Sequence, residues 1–276
     1  MEHKKVNLFE IRDRFRQMCN LQISQNIPTN IWRSLFSSID EGTLDVVYQP
    51  IVNHSKCTVF AHEVLSRPQY VGQLIPPNDW FRAAYKCGLS VVADLLALSA
   101  GVTNLRMFPS EIKSTPIFVN VMPSSLVEKS FLEGLELIFH EGTCQPKQLV
   151  LEIIEYVSYD PRSLLRIIAP IRSLGVQIAL DDVGVGNTNL AALVKLEPDF
   201  IKIDRSLIED ISVSSSKQRL LSQLVGYMES GDSVIAEGVE NSEDLLAIQE
   251  AGANLSQGYY WARPMPANDL TPYKWK

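Results

Sequence analysis

Nowhere in these 276 residues does an uninterrupted apolar run approach the roughly 18 residues of a membrane-crossing helix. The opening MEHKKVNLFE carries charge but no apolar stretch of the secretory kind, so the chain is expected to be soluble and cytoplasmic. Cysteine is scarce. The four, at positions 20, 57, 87 and 144, show no C-x-x-C spacing and no nearby histidine cluster, which argues against a zinc site and for reduced thiols. Positive charge is also in the minority: 25 Lys and Arg stand against 32 Asp and Glu, a net −7. A binder of nucleic-acid backbones needs a basic face to neutralise phosphates, so no DNA or RNA duplex is expected as a partner. A small anionic ligand stays compatible, because bound metal ions invert the local charge.

What is present is material for a core. Hydrophobic residues make up 46% and charged residues 21%, and the length fits one large α/β barrel or two small domains. Residues 1–30 read as a separate helical extension. Leu8, Ile11, Phe15 and Met18 recur at steps of three and four, with Arg12, Asp13, Arg14 and Arg16 between them, and Pro28 marks a break. This extension is expected either to pack on the main domain or to contact a partner or second copy.

From residue 44 onward, β-rich apolar runs alternate with helical patterns. The runs are 44–52, 57–65, 116–122, 148–154, 176–182, 199–204, 232–238 and 253–260. Helical stretches are expected at 79–106, 124–140, 161–174, 187–196, 206–230 and 242–251, and SVSSS (212–216) reads as a polar loop. Eight strands alternating with helices predict an α/β fold, a (β/α)8 TIM barrel. The first two runs are joined only by residues 53–56, too short for a parallel crossover. The expectation is therefore a modified TIM barrel over residues 31–276 with its first strand antiparallel.

In such barrels chemistry gathers where strands end. The polar residues closing the runs are Glu63, Asn120, Glu152, Asp181–Asp182, Lys202, Glu237 and Gln257. Five carboxylates converging without counter-charge repel one another and resist desolvation. Hard cations resolve that conflict, and a carboxylate-and-amide set without Cys or His suits Mg2+ or Mn2+. Taken singly, each residue has a plainer reading: Glu63 a solvated carboxylate, Asp181–Asp182 a helix N-cap, Lys202 a surface lysine, Gln49 a partner of backbone.

Seven segments, in order over about residues 31–267, resemble the EAL domain family. They are YQPIV (48–52) with HEVLSR (62–67), FVNVMP (118–123), LVLEIIE (149–155), ALDDVGVGNTNL (179–190), FIKIDRSLI (200–208), VIAEGVEN (234–241) and SQGYYWARPMP (256–266). The resemblance implies a metal-dependent phosphodiesterase that opens cyclic di-GMP to linear pGpG. It implies two divalent cations, Mg2+ or Mn2+, about 4 Å apart. Glu63, Asn120, Glu152 and Asp181 would hold the first; Asp181 would bridge to the second, held also by Asp182 and Glu237. Lys202, beside the cations and with its ammonium form disfavoured there, would handle the water's proton, and Gln257 would position that water. Arg67 and Gln49 would contact substrate, and Arg67's planar guanidinium suits a phosphate. Glu155 would anchor the loop after Asp182, with Glu240 bracing the neighbouring turn. The family's habit also implies a homodimer.

One loop departs from the pattern. The chain has DDVGVGNTN where the family has DDFGTGYSS, and Ile154 stands where a Thr is usual. Asp181 and Asp182 are kept, so the departure is expected to bear on turnover more than on binding. The departure favours a second reading, a cyclic di-GMP receptor with weak or no hydrolysis. A third is a protein-interaction domain that no longer uses the nucleotide, with the N-terminal helix as a contact; loss of acidic ligands would support it, and none is lost.

Overall fold

The computed structural model describes residues 27–154, 161–184 and 190–272. Each of the eight apolar runs overlaps a strand: β1 Val46–Asn53, β2 Thr58–Ser66, β3 Ile117–Val121, β4 Leu149–Ile153, β5 Gln177–Val183, β6 Phe200–Ile203, β7 Val234–Ala236 and β8 Leu255–Ser256. They close into a barrel in the order β1-β8-β7-β6-β5-β4-β3-β2. The first strand runs antiparallel to both neighbours, and every other pairing is parallel. The short turn after Asn53 leaves no other solution, so the fold is the modified TIM barrel expected from the sequence.

Strand residues facing the helices, such as Val119, Leu151, Ile178, Ile201 and Val234, are fully buried in a continuous outer core. Both faces of these strands are covered, which is why they read as unbroken apolar runs. A second core joins helix α1 (Thr29–Glu41) to α2 (Pro77–Lys86) and α3 (Ser90–Thr103) through Ile31, Leu35, Trp80, Phe81 and Ala93. The expected division at residue 30 falls just inside α1, and residues 1–26 lie outside the described residues.

Three expected helices are subdivided. The stretch 79–106 is two helices, because Gly88 adopts φ +68° and turns the chain. The stretch 124–140 is a single turn, α4 (Pro123–Leu126), followed by Lys129–His140. The stretch 206–230 is a turn at Arg205–Ile208 capped by Asp204, a 3₁₀ turn at Ile211–Val213, and a helix at Ser215–Tyr227. Asp244 holds that interruption by accepting the N–H groups of Asp210 (3.2 Å) and Ser212 (2.9 Å). The polar segment 212–216 is thus partly 3₁₀ turn and partly helix start. A small hairpin, Gln69–Tyr70 with Gln73–Leu74, was not anticipated; its turn residues Val71 and Gly72 both have positive φ.

Candidate active site at the barrel mouth

The barrel interior is built in layers two residues apart along each strand. One layer is apolar and takes one side chain from every strand: Ile51, Ala61, Phe118, Val150, Ala179, Phe200, Ile235 and Leu255. Side chains in a strand alternate between faces, so the next inward position lies two residues on. Toward the mouth those positions are Glu63, Asn120, Glu152, Asp181, Lys202, Glu237 and Gln257, and, on the reversed first strand, Gln49. That layer holds four carboxylates, three amides and one lysine, and no apolar side chain.

Asp182 is the exception that alternation cannot explain, since it should face away from Asp181. The ladder between β5 and β6 slips between Leu180 and Val183, and Asp182 takes φ +51°. Such a bulge re-aims side chains, and Asp tolerates the left-handed region better than most residues. As a result, carboxylate oxygens of Asp181, Asp182 and Glu237 all lie within 4.8 Å of one another. The turn then needs glycine: Gly184 has φ +109°, a conformation that L side chains rarely adopt, and a Cβ there would also press on the Leu207 side chain.

Lys202 is the hub. Its Nζ lies 2.7 Å from Glu237, 3.1 Å from Glu152, 3.3 Å from Glu63 and 3.4 Å from Asp181, and its side chain is 1% exposed. An ammonium has three N–H donors, and here it faces four carboxylates. Burial alone would lower the lysine pKa, but Asp181, Glu152, Glu237 and Glu63 outweigh it and carry it well above the ordinary value. The protein's own charges thus favour the ammonium; a role for Lys202 as a proton acceptor depends wholly on cations at the mouth. Burial raises the carboxyls of Glu152 and Glu237, the latter to about 8; Lys202 opposes the rise and the neighbouring carboxylates add to it. Both Glu152 oxygens and Asp181 Oδ1 are buried without a hydrogen-bond partner, although Lys202 stands within ion-pair range of each side chain.

The amides tie the layer together. Gln257 Nε2 donates to Glu63 Oε2 at 2.6 Å and to Gln49 Oε1 at 3.2 Å, and Asn120 Nδ2 donates to Glu63 Oε1 at 3.2 Å. Gln49 also donates to the backbone oxygen of Ala262, so its plainer reading describes one of its bonds. Arg67 is half-buried, with Nη1 donating to Ser66 O; burial lowers its pKa, while nearby Glu63 and Tyr259 raise it. Glu240 is exposed and pairs with Arg205 at 3.0 Å. An open cleft of about 230 Å³ leads to the polar layer past Gln49, Glu63, Glu237, Arg205 and Tyr259. Arg205 and Tyr259 were not singled out from the sequence. Tyr259 lies in the turn after β8, two residues beyond Gln257, where the strand period no longer applies. Glu155 lies outside the described residues, as do 185–189 of the altered loop. Val183, where the family has an aromatic, is 2% exposed.

The donor set fits hard divalent cations. Four carboxylates face one ammonium and a fifth, Asp182, stands beside them; buried oxygens of Glu152 and Asp181 lack hydrogen bonds, and all the donors are oxygen. Fold and site together define a TIM-type barrel with an acidic, cation-ready mouth at the C-terminal ends of its parallel strands. The EAL domain family model matches residues 32–264, and the chain belongs to that family. It is 28% identical over 235 residues to the probable cyclic di-GMP phosphodiesterase PdeA of Escherichia coli, covering 84% of this chain and 32% of that protein. It is similar to the Klebsiella pneumoniae BlrP1 manganese/cy-diGMP complex: 27% identity, TM-score 0.69, 80% of this chain and 56% of the other. It is similar also to the PaMucR phosphodiesterase c-di-GMP complex: 25% identity, TM-score 0.75, 87% of this chain and 99% of the other. The chain spans between 32% and 61% of the length of the first curated relatives it matches.

Proposed function

We propose that this domain hydrolyses cyclic di-GMP to linear pGpG with two divalent cations, Mg2+ or Mn2+, held at the barrel mouth. The observation that carries the reading is the all-polar layer around Lys202, in a barrel of the EAL family. Glu63, Asn120, Glu152 and Asp181 would hold one cation; Asp181, Asp182 and Glu237 would hold the other. When bound, such ions polarise a phosphoryl group and acidify water.

The chain's own residues then divide the work. Arg67, at the mouth beside Glu63, holds the anionic phosphodiester. Gln257, fixed by Glu63 and Gln49, orients the attacking water. Lys202 Nζ, once its carboxylate partners are engaged elsewhere, takes up or orients that water's proton. The water oxygen bonds to one phosphorus and the P–O3′ bond breaks. The ribose oxygen leaves with a proton, and the ring opens to a linear dinucleotide with a 5′ phosphate. The apolar layer beneath seals the site from the barrel floor. Glu240, paired with Arg205, braces the turn after Glu237; the family resemblance assigns Glu155 the role of anchoring the loop after Asp182.

The test is purified protein with cyclic di-GMP and Mg2+ or Mn2+, following pGpG by chromatography, with a chelator control. Cation-dependent pGpG supports the reading. Tight binding by calorimetry without product marks a receptor instead, the outcome that Val183 and the altered loop would favour.

We place the protein in the cytoplasm as a homodimer, with residues 1–30 as an extension of the barrel domain. Free thiols at Cys57, Cys87 and Cys144, the first exposed, suit a reducing compartment. Among the described residues no helix is long and apolar enough to cross a membrane. The amphipathic spacing of Leu8, Ile11, Phe15 and Met18 supports a self-contact, which light scattering at micromolar concentration tests.

A further inference from the structure

Helix α3 reads SVVADLLALSAGVT, and its single charged residue is Asp94. It points inward: the residue is 2% exposed. An unpaired carboxyl in such a place is costly, so its partner matters. That partner is the backbone N–H of Met122, which donates to Asp94 Oδ2 at 2.9 Å. Met122 lies two residues beyond Asn120, where the β3–β4 ladder has just ended at Val121 with Ile153. Its N–H has no strand to pair with, and Asp94 satisfies it. The carboxyl therefore fixes where β3 stops and the turn α4 begins, and with it the end of the strand that carries Asn120.

The rest of the pocket is polar but under-satisfied. Asp94 Oδ1 and the hydroxyl of Ser125 are buried without an aligned hydrogen-bond partner. Burial dominates and pushes the Asp94 carboxyl up to about 8, against the pull of the Ser125 hydroxyl and the Met122 N–H. Ser125 is thus close enough to act on the carboxyl's charge, though not aligned as a full bond. At neutral pH the group is mostly a neutral acid, so an asparagine matches its shape, its charge and its acceptor.

We propose that Asp94 is a positioning residue for the cation site, acting through the Met122 N–H to hold Asn120 in line with Glu63 and Glu152. This rests on the reading of the mouth as a divalent-cation site. Groups supporting ligands in this indirect way commonly matter about 10–100-fold in metal affinity.

The experiment titrates Mn2+ alone, by calorimetry, into the full chain and its variants, and follows amide hydrogen exchange at Met122 in the cation-free protein. Asp94→Ala should weaken Mn2+ by about tenfold and speed exchange at Met122. Asp94→Asn should restore both. Should Asp94→Ala fail to fold, Asp94→Ser, whose hydroxyl is too short to reach Met122, carries the same expectation. A folded Asp94→Ala or Asp94→Ser that binds Mn2+ as the wild type does, whatever its melting temperature, overturns the proposal. So does an Asp94→Asn as weak as the alanine variant. If the wild type itself takes up no Mn2+, the cation reading of the mouth fails and this proposal falls with it.

Discussion

The two ends of the barrel are both polar, and they are polar in opposite ways. At the floor, Asp232 accepts from Asn254 (2.9 Å), Asn53 (3.3 Å) and Lys56 (3.2 Å). Asn53 in turn accepts the Lys56 N–H, and His54 is bonded through both ring nitrogens, to Ser256 and to the Ala253 carbonyl. Donors and acceptors match, and Asp232 has its cation in Lys56. At the mouth, four carboxylates crowd a single ammonium, and buried oxygens of Glu152 and Asp181 lack hydrogen bonds. A satisfied network closes a structure. An unsatisfied one, held in place by the same strands, is free to bind something else.

The largest expected effect is on rate and belongs to the mouth. Glu63→Ala should lower pGpG formation by about a hundredfold or more, while circular dichroism stays that of the folded protein. Stability should change little, because the variant removes one of the mutually repelling carboxylates. Unchanged turnover would break the contrast at its centre.

The next effect is on stability. Lys202→Met keeps the side-chain volume but leaves the buried carboxylates without their counter-charge. Removing one partner of a buried ion pair costs about 3–5 kcal/mol, so urea unfolding without cations should show a loss of that order. A variant as stable as the wild type would mean that the mouth is not held together by this charge.

A smaller effect separates the ends by ligand. Mn2+ at about a hundred times its dissociation constant should stabilise the wild type by about 2.7 kcal/mol, a rise in melting temperature of about 5 °C. A floor variant should show the full rise, and Glu63→Ala should show little of it. Equal shifts in the two variants would detach cation binding from the mouth.

This contrast was half legible in the sequence. The strand-end residues could be read off, because a period of two carries every inward side chain from the apolar layer to the polar one: Phe118 to Asn120, Val150 to Glu152, Phe200 to Lys202. The reversed first strand was legible from a four-residue connection. The aim of Asp182 was not, since it depends on a slip of the β5–β6 ladder, and pairing irregularities leave no periodic trace. Nor was Asp94, whose partner is a backbone N–H on another element, 28 residues away. The breaks within helices hid for a related reason: Gly88 could be tolerated inside a helix, and only the packed structure shows it turning the chain.

The smallest expected effect lies at the floor and carries a sign. Burial would raise the Asp232 carboxyl, but the bonds from Asn254 and Lys56, the Lys56 charge and the bond from Asn53 outweigh it, so its pKa is lowered. A carboxyl depressed in the folded state stabilises above its unfolded value, near 3.9, and the contribution fades as pH falls through the folded pKa. The Asp232 side chain is 43% exposed, so solvent screens the Lys56 pair and the hydrogen bonds to Asn254 and Asn53 supply most of the effect. Asp232→Asn should therefore cost about 1 kcal/mol in urea unfolding at pH 7. The gap between variant and wild type should narrow as pH falls from the unfolded value, about 3.9, through the lowered folded pKa of Asp232. Turnover and the Mn2+ shift should match the wild type throughout. A loss of rate or of cation binding in this variant would show that the floor reaches the mouth, and the two ends would no longer be separable.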